Sequence, residues 1–261
     1  MHAAQAQPAT RTAPAPIDPV VVAHEAFAPA PGAVVAFILR MVARHGLGGG
    51  PRVLDLGCGS GRRLPALAAI ASEVVGMEAD PRLRSAAERR AVEGVEVRPG
   101  GFRELEGRAA WDLVLAWDGA LAYQHRVEQR LAALRACLQA LRPGGVLVLE
   151  LPHLLWTMAR GEAPRLASTA VSPGLRITRD PRQEVDLDAG LVTIHERFRL
   201  EGEGGYAEEG ELVHRQSIVT PQELAFGLRQ AGFTRVETWP ALSAAEPGPL
   251  AGPRMVVVAR R

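Results

Sequence analysis

The sequence predicts an α/β fold: a doubly wound, mostly parallel seven-stranded sheet with helices on both faces, plus an inserted antiparallel lid. Three features predict it. Between residues 52 and 151, short apolar runs alternate with helix-period stretches on short loops, the rhythm of βαβ units covering a parallel sheet. A glycine-rich turn joins the first apolar run to the first helix of that series. After Pro152 the pattern changes to longer alternating runs, VTIHERFRLEG and EGELVHRQSIV, joined by EGEGGYAEEG, which is hairpin patterning.

Each element has its own signal. Val34, Val35, Ile38, Leu39 and Val42 share a helical face, and Gly46 stops that run. Strands are expected at Arg52–Leu56, Glu73–Met77, Val95–Val97, Trp111–Ala116 and Val146–Leu151, the last after the turn Pro143-Gly144-Gly145. Helices are expected from Ser60 to Ala71, from Pro81 to Val92, where proline suits the first turn, and from Val127 to Leu141. Thr220-Pro221 begins a helix reaching Ala231, with Glu223 placed for a capping box. Phe233–Thr238 and Met255–Ala259 supply the last two strands. The organisation that follows is a disordered arm over residues 1–16, cap helices over 17–48, a core over 49–151, a lid over 152–219 and the rest of the core over 220–261.

Composition removes several classes. The chain has 261 residues, 47% hydrophobic, enough for a sizeable core without metal or disulfide staples. Thirty basic residues face 29 acidic ones, net +1, which argues against duplex nucleic acid as the partner. Every basic residue is arginine, so no lysine Schiff base or Walker-type lysine exists; codon usage in a GC-rich genome is the plain reason. Two cysteines are too few for a secreted disulfide scaffold. The N-terminal stretch lacks the apolar region of a secretory signal, and the run from Ala33 to Val42 is too short to span a bilayer. A reduced, cytoplasmic protein with no membrane partner is the expectation.

The chemistry concentrates in Val53-Leu54-Asp55-Leu56-Gly57-Cys58-Gly59-Ser60-Gly61. Glycines there let the backbone approach a ligand, and the following helix offers free N–H groups. A P-loop is excluded by the missing Gly-Lys-Ser/Thr ending, and a dinucleotide site is disfavoured by Arg62 at the expected third glycine. Asp55 would repel a pyrophosphate but attract an ammonium, and Glu78, about twenty residues on, can take both ribose hydroxyls. An adenosine ribose at one end and an ammonium at the other describe S-adenosylmethionine.

With these residues in place, the sequence resembles the class I S-adenosylmethionine-dependent methyltransferases. VLDLGCGSG is similar to the family's first motif, VVGMEAD to its second, and WDLVLAW with LRPGGVLVLE to its fourth- and fifth-strand signatures. The tail ELVHRQSIVTPQELAFGLRQAGF is similar to the end of small-molecule N- and O-methyltransferases. The resemblance implies that Asp55, Gly57, Cys58, Gly59 and Gly61 line the methionine side. It places Glu78 on the ribose, Met77 against the adenine and Trp117 near the sulfonium. Where the family often has an acid for the adenine amino group, this chain has Gly101; Phe102 stacking or a backbone carbonyl would substitute.

Methyl transfer needs orientation above all, and a base only where the acceptor must lose a proton. His153, after the fifth strand, is the first candidate, followed by Tyr123 and His125 after the fourth and His214 in the lid. His195 reads as a sheet-surface residue; His24 could cover the site, although its first reading is a plain surface histidine. Arg62 and Arg63 are placed to greet the methionine carboxylate. No metal is expected, because strand five ends Glu150-Leu151-Pro152-His153 without the Asp-Asn pair of magnesium-dependent relatives. The expected reaction is methyl transfer to nitrogen or oxygen of a small molecule, such as a bacterial secondary metabolite. The rival readings are cyclisation, decarboxylation or hydroxylation on the same fold, or a non-catalytic S-adenosylmethionine-binding partner protein. A homodimer is compatible with the apolar N-terminal helix, which can cover its own chain's site or dock on a second subunit.

Overall fold

The computed structural model describes residues 18–26, 28, 31–160, 168–172 and 174–261; the arm expected over residues 1–16 lies outside them. Alternation of side chains along central strands sorts the apolar residues into two layers. Strands β1 (Arg52–Leu56), β2 (Glu73–Glu78), β3 (Val95–Pro99), β4 (Trp111–Ala116), β5 (Leu141–Pro152), β10 (Arg235–Trp239) and β11 (Arg254–Arg260) form one sheet in the order β10-β11-β5-β4-β1-β2-β3. Pairing is parallel throughout, except that β11 runs antiparallel to both β5 and β10. Val53, Leu113, Val148 and Val256 face one core; Leu54, Val114, Leu149 and Val257 face the other. Burial on both faces explains why these strands read as continuous apolar runs.

Helices α2 (Pro31–Arg44), α3 (Leu64–Ala68) and α4 (Pro81–Arg90) cover the first face through Phe37, Ile38, Leu64, Leu67 and Ala87. Helices α5 (Val127–Ala140) and α7 (Pro221–Ala231) cover the other through Leu134, Cys137 and Leu228. From β1 the chain builds β2 and β3 on one side, then returns to build β4 and β5 on the other. That reversal opens a crevice beyond the carboxyl ends of β1 and β4, where ligands of open α/β sheets bind.

Two expectations change. The helix expected from Ser60 to Ala71 is only Leu64–Ala68. Gly59 and Gly61 have φ of 61° and 76°, which holds residues 57–61 as a loop, and Gly61 packs so closely that an added Cβ would lie 2.8 Å from Ala87. Thr220 caps α7, its Oγ1 accepting from the Glu223 N–H at 3.0 Å, but the capping box does not close. The Glu223 carboxylate instead accepts from Arg130 Nε at 2.9 Å, tying α7 to α5.

The lid is a separate four-stranded antiparallel sheet of β6 (Ser168–Ser172), β7 (Leu175–Asp186), β8 (Leu191–Gly202) and β9 (Ala207–Ser217). The expected hairpin is β8 with β9; β6 and β7 add two strands that the pattern does not reveal. Pro181 and the charges of LRITRDPRQEVD hide β7. Among the described residues β6 pairs β7 only as far as Arg179, so the ladder with β6 does not include Pro181. Helix α1 (Pro19–Ala26) packs Ala23 against Ile177, Phe198 and Leu200 of this sheet. A short helix α6 (Leu154–Ala159) follows β5. Among the described residues no single helix is long and apolar enough to cross a membrane.

Trp239 is fully buried and meets the Phe37 ring edge-on, with centroids 5.2 Å apart. Trp239→Ala is expected to cost about 3–5 kcal/mol of unfolding free energy, read as a lower urea midpoint at unchanged slope.

Candidate functional site

A cavity of about 440 Å³ lies in the crevice, walled by the loop after β1, the ends of β2 and β4, helix α1 and strand β9. Its floor is set by backbone geometry. The Gly57 and Cys58 N–H groups both donate to the Met77 carbonyl, at 2.8 and 3.0 Å, folding the glycine loop across the end of β2. Glu78 secures the same loop: its Oε2 accepts from Gly59 N–H at 2.8 Å and its Oε1 from Asp80 N–H at 2.9 Å. Burial pushes the Glu78 carboxyl up from the usual range, opposed by those backbone N–H groups. Its remaining lone pairs can accept two vicinal hydroxyls.

Gly57, Cys58 and Gly59 line the cavity, as do Glu78, Gly101, Phe102 and Trp117. Gly61 does not, serving instead the contact with α4. Met77 also departs from expectation: its side chain lies in the core with Leu54, Val75 and Phe102 while its carbonyl holds the loop. Asp55 is a third correction. It is wholly buried and does not reach the cavity, because Arg63 stands in front of it, with Nη2 3.4 Å from each carboxylate oxygen. Burial raises the Asp55 carboxyl, and the Arg63 guanidinium opposes that rise.

Arg63 lines the cavity and also donates from Nη1 to Asp118 Oδ2 at 3.0 Å, while its buried Nε has no partner. Asp118 in turn meets Arg254 Nη2 at 3.0 Å, and its backbone N–H donates to Glu150 Oε2 at 3.0 Å. Arg254 also pairs with Glu150. Five charges therefore alternate in sign from the end of β1 to the end of β5. Arg63, which lines the cavity, turns the positive charge of this chain toward a ligand carboxylate.

At the other end, three elements converge. Tyr123 closes the 3-10 turn Ala120–Tyr123, His214 comes from β9 and His24 from α1, and all three line the cavity. Tyr123 Oη lies 3.0 Å from His214 Nδ1. His24 Nε2 stands over the glycine loop, 3.1 Å from where a Cβ on Gly59 would be, so it is not the surface residue its sequence context suggests. Burial lowers the pKa of both histidines below the ordinary 6.5, the Asp118 and Glu196 charges opposing it for His24 and His214 respectively. Burial also raises the Tyr123 phenol, opposed by a hydrogen bond with Gln216. At neutral pH the cluster therefore offers uncharged imidazoles, which are proton acceptors.

His153 and His125 fall outside the cavity. The His153 ring bonds the Gly252 carbonyl through Nδ1 at 3.2 Å, and its N–H donates to Pro253 O at 2.7 Å, so it staples the end of β5 to the entry of β11. His125 Nε2 bonds the Arg215 carbonyl at 2.7 Å, fastening the lid to the segment before α5. Each histidine holds backbone through one ring nitrogen, and neither lines the cavity. Burial raises both thiols, Cys137 to about 12, so neither cysteine is a nucleophile. Among the described residues no group of three or more His, Cys, Asp or Glu is disposed to hold a metal ion.

Residues 53–145 match the methyltransferase domain family. Over 116 residues the chain is 33% identical to the cypemycin N-terminal methyltransferase of a Streptomyces species, covering 44% of this chain and 47% of that protein. It is 29% identical over 111 residues to the ubiquinone biosynthesis O-methyltransferase of Bradyrhizobium diazoefficiens, covering 41% of this chain and 42% of that one. The chain thus spans about half the length of these curated relatives. The fold is that of CalS10, an amino pentose methyltransferase from Micromonospora echinaspora solved with S-adenosylmethionine bound: TM-score 0.70, 21% identity, 96% of this chain and 100% of that one. The sugar N-methyltransferase KedS8 from a Streptoalloteichus species gives TM-score 0.70 at 19% identity, over 100% of this chain and 99% of that one.

Removing the Asp55 carboxylate leaves Arg63 buried between fewer counter-charges. Asp55→Ala is expected to lose about 3 kcal/mol or more of stability in urea unfolding, even without ligand.

Proposed function

Because residues 53–145 carry a methyltransferase domain, we propose that this chain is an S-adenosylmethionine-dependent methyltransferase whose acceptor is a nitrogen of a small molecule. The observation that carries this reading is the Tyr123–His214 contact, 3.0 Å long, in the same cavity as the Glu78-braced glycine loop. The residues fit the cofactor. Glu78 would take the ribose hydroxyls, Phe102 the purine and the Arg63 guanidinium the methionine carboxylate, all three lining the cavity. When bound, S-adenosylmethionine supplies an electrophilic methyl group on sulfur.

The chain's own residues orient the acceptor, exclude water and remove its proton. With His214 Nδ1 unprotonated, Tyr123 donates its O–H to that nitrogen and keeps lone pairs on Oη for an acceptor N–H. A proton leaving the acceptor passes to Tyr123 Oη as the phenolic proton moves to His214 Nδ1. His24, on the loop side of the cavity, narrows the approach. Nitrogen is favoured by the relatives: a sugar N-methyltransferase, an amino pentose methyltransferase and the cypemycin N-terminal methyltransferase. The second reading is oxygen as acceptor, supported by the ubiquinone biosynthesis relatives. The net charge of +1 supports a small acceptor over nucleic acid, and two free cysteines suit a cytoplasmic protein. The apolar face of α2 is largely spent on the core, so a homodimer would have to form on another surface.

Calorimetry with S-adenosylmethionine and S-adenosylhomocysteine tests the cofactor site. Micromolar binding that weakens at least tenfold in Glu78→Ala supports it; no binding in the wild type overturns it. In assays with amino sugars and aminated small molecules, Tyr123→Phe and His214→Ala are expected to lower kcat about 10²–10⁴-fold with little change in cofactor affinity. The pH dependence has a definite sign. The active imidazole is neutral and its pKa is depressed, so kcat is flat through neutrality and declines only below pH 6.5. A limb rising above pH 7 in the bound complex would assign proton removal to another group.

A further inference from the structure

The ribose position fixes where the purine goes. β2 pairs with β3 so that Glu78 stands opposite Pro99, and the Gly100 N–H donates to the Glu78 carbonyl at 3.2 Å. A base attached to a ribose at Glu78 therefore extends over residues 100–102, between Leu83 and the buried Phe102. The Leu83 and Phe102 side chains are apolar, which suits the two faces of a purine.

Its edge is another matter. The acidic residues lining the cavity are Glu78, Asp80 and Asp118. Glu78 is braced on backbone N–H groups, Asp80 caps α4 and pairs with Arg82 at 2.7 Å, and Asp118 lies at the far end between two arginines. The one carboxylate on the 100–104 loop, Glu104, folds back to accept from the Gly101 N–H at 2.9 Å and does not line the cavity. A Cβ built on Gly101 would meet nothing within 4 Å among the described residues, and the backbone there is in a conformation open to any residue.

We infer that the cavity is open at the purine 6-amino edge, so that Gly101 sets a relaxed specificity admitting cofactors and products alkylated on that amino group. The inference rests on the proposed cofactor. An amino group alkylated once keeps one N–H, so a site rejects it by filling the space that the substituent needs, whereas open space discriminates little. No carboxylate among the described lining residues is free at that edge, so one N–H goes to a backbone carbonyl or to water, and a substituent occupies the open space beside Gly101 at small cost.

The test is calorimetric titration of the wild type with S-adenosylhomocysteine and with its N6-benzyl analogue. Expected is binding of both within about fivefold. Gly101→Leu fills the space, and the ratio of the two dissociation constants should rise at least tenfold in favour of the parent compound. Wild-type rejection of the N6-benzyl compound by thirtyfold or more, with the parent bound, overturns this inference and leaves the proposed function standing. Absence of binding by either compound overturns the proposed function, and this inference with it. A Gly101→Leu ratio equal to that of the wild type assigns the tolerance to another position and overturns the role of Gly101.

Discussion

A carboxylate sealed at the carboxyl end of the central strand has to be neutralised, and much of the site's layout answers that requirement. Asp55 has no exposure, so ionised it would cost several kcal/mol in lost hydration unless paired. Arg63 supplies the pair, from the loop that the glycines turn back toward β1. Its second contact recruits Asp118, in the left-handed turn that ends β4 at φ 52°, and Arg254 and Glu150 extend the chain to β11 and β5. Four strand ends are thereby tied by charge at the place where the sheet reverses direction. The ligand-facing consequence is that Arg63, rather than Asp55, presents itself to the cavity.

The acceptor end is assembled differently. Tyr123, His214 and His24 come from a turn of the core, an inserted sheet and an N-terminal helix, so none of the three is fixed by the glycine loop. Helix α1 links them: it packs on the lid sheet through Ala23, and Glu25 pairs with Arg90 of α4 while the Glu25 and Ala28 carbonyls accept from Arg62. The lid is likewise fastened to the core by His125 and Tyr123. Burial within this junction keeps the imidazoles neutral, which is the state a proton acceptor needs.

Legibility follows the range of the interactions. The seven-stranded sheet was readable because double-sided burial writes itself into consecutive apolar residues, and the glycine loop because close approach of backbone to ligand demands glycine. β7 was not, since its pairing with β8 tolerates Pro181 and leaves charged side chains outward. Of the catalytic candidates, Tyr123 and His214 stand in the cavity, whereas His153 and His125 spend their ring nitrogens on carbonyls of Gly252 and Arg215, partners ninety or more residues away. His24 reads first as a surface residue for the converse reason: nothing in PVVVAHEA records that this helix crosses the glycine loop.

The sequence by itself determined the order of strands and helices in the seven-stranded core, the ligand-binding turn and the acid that braces it, because each is set by local periodicity and by residue types within one βαβ unit. Tertiary structure alone decided which titratable side chains share a cavity, which are consumed as staples, and that Arg63 shields Asp55. Those outcomes depend on where an inserted sheet and a short helix dock, which is a property of packed surfaces distant in the chain and leaves no periodic trace along it.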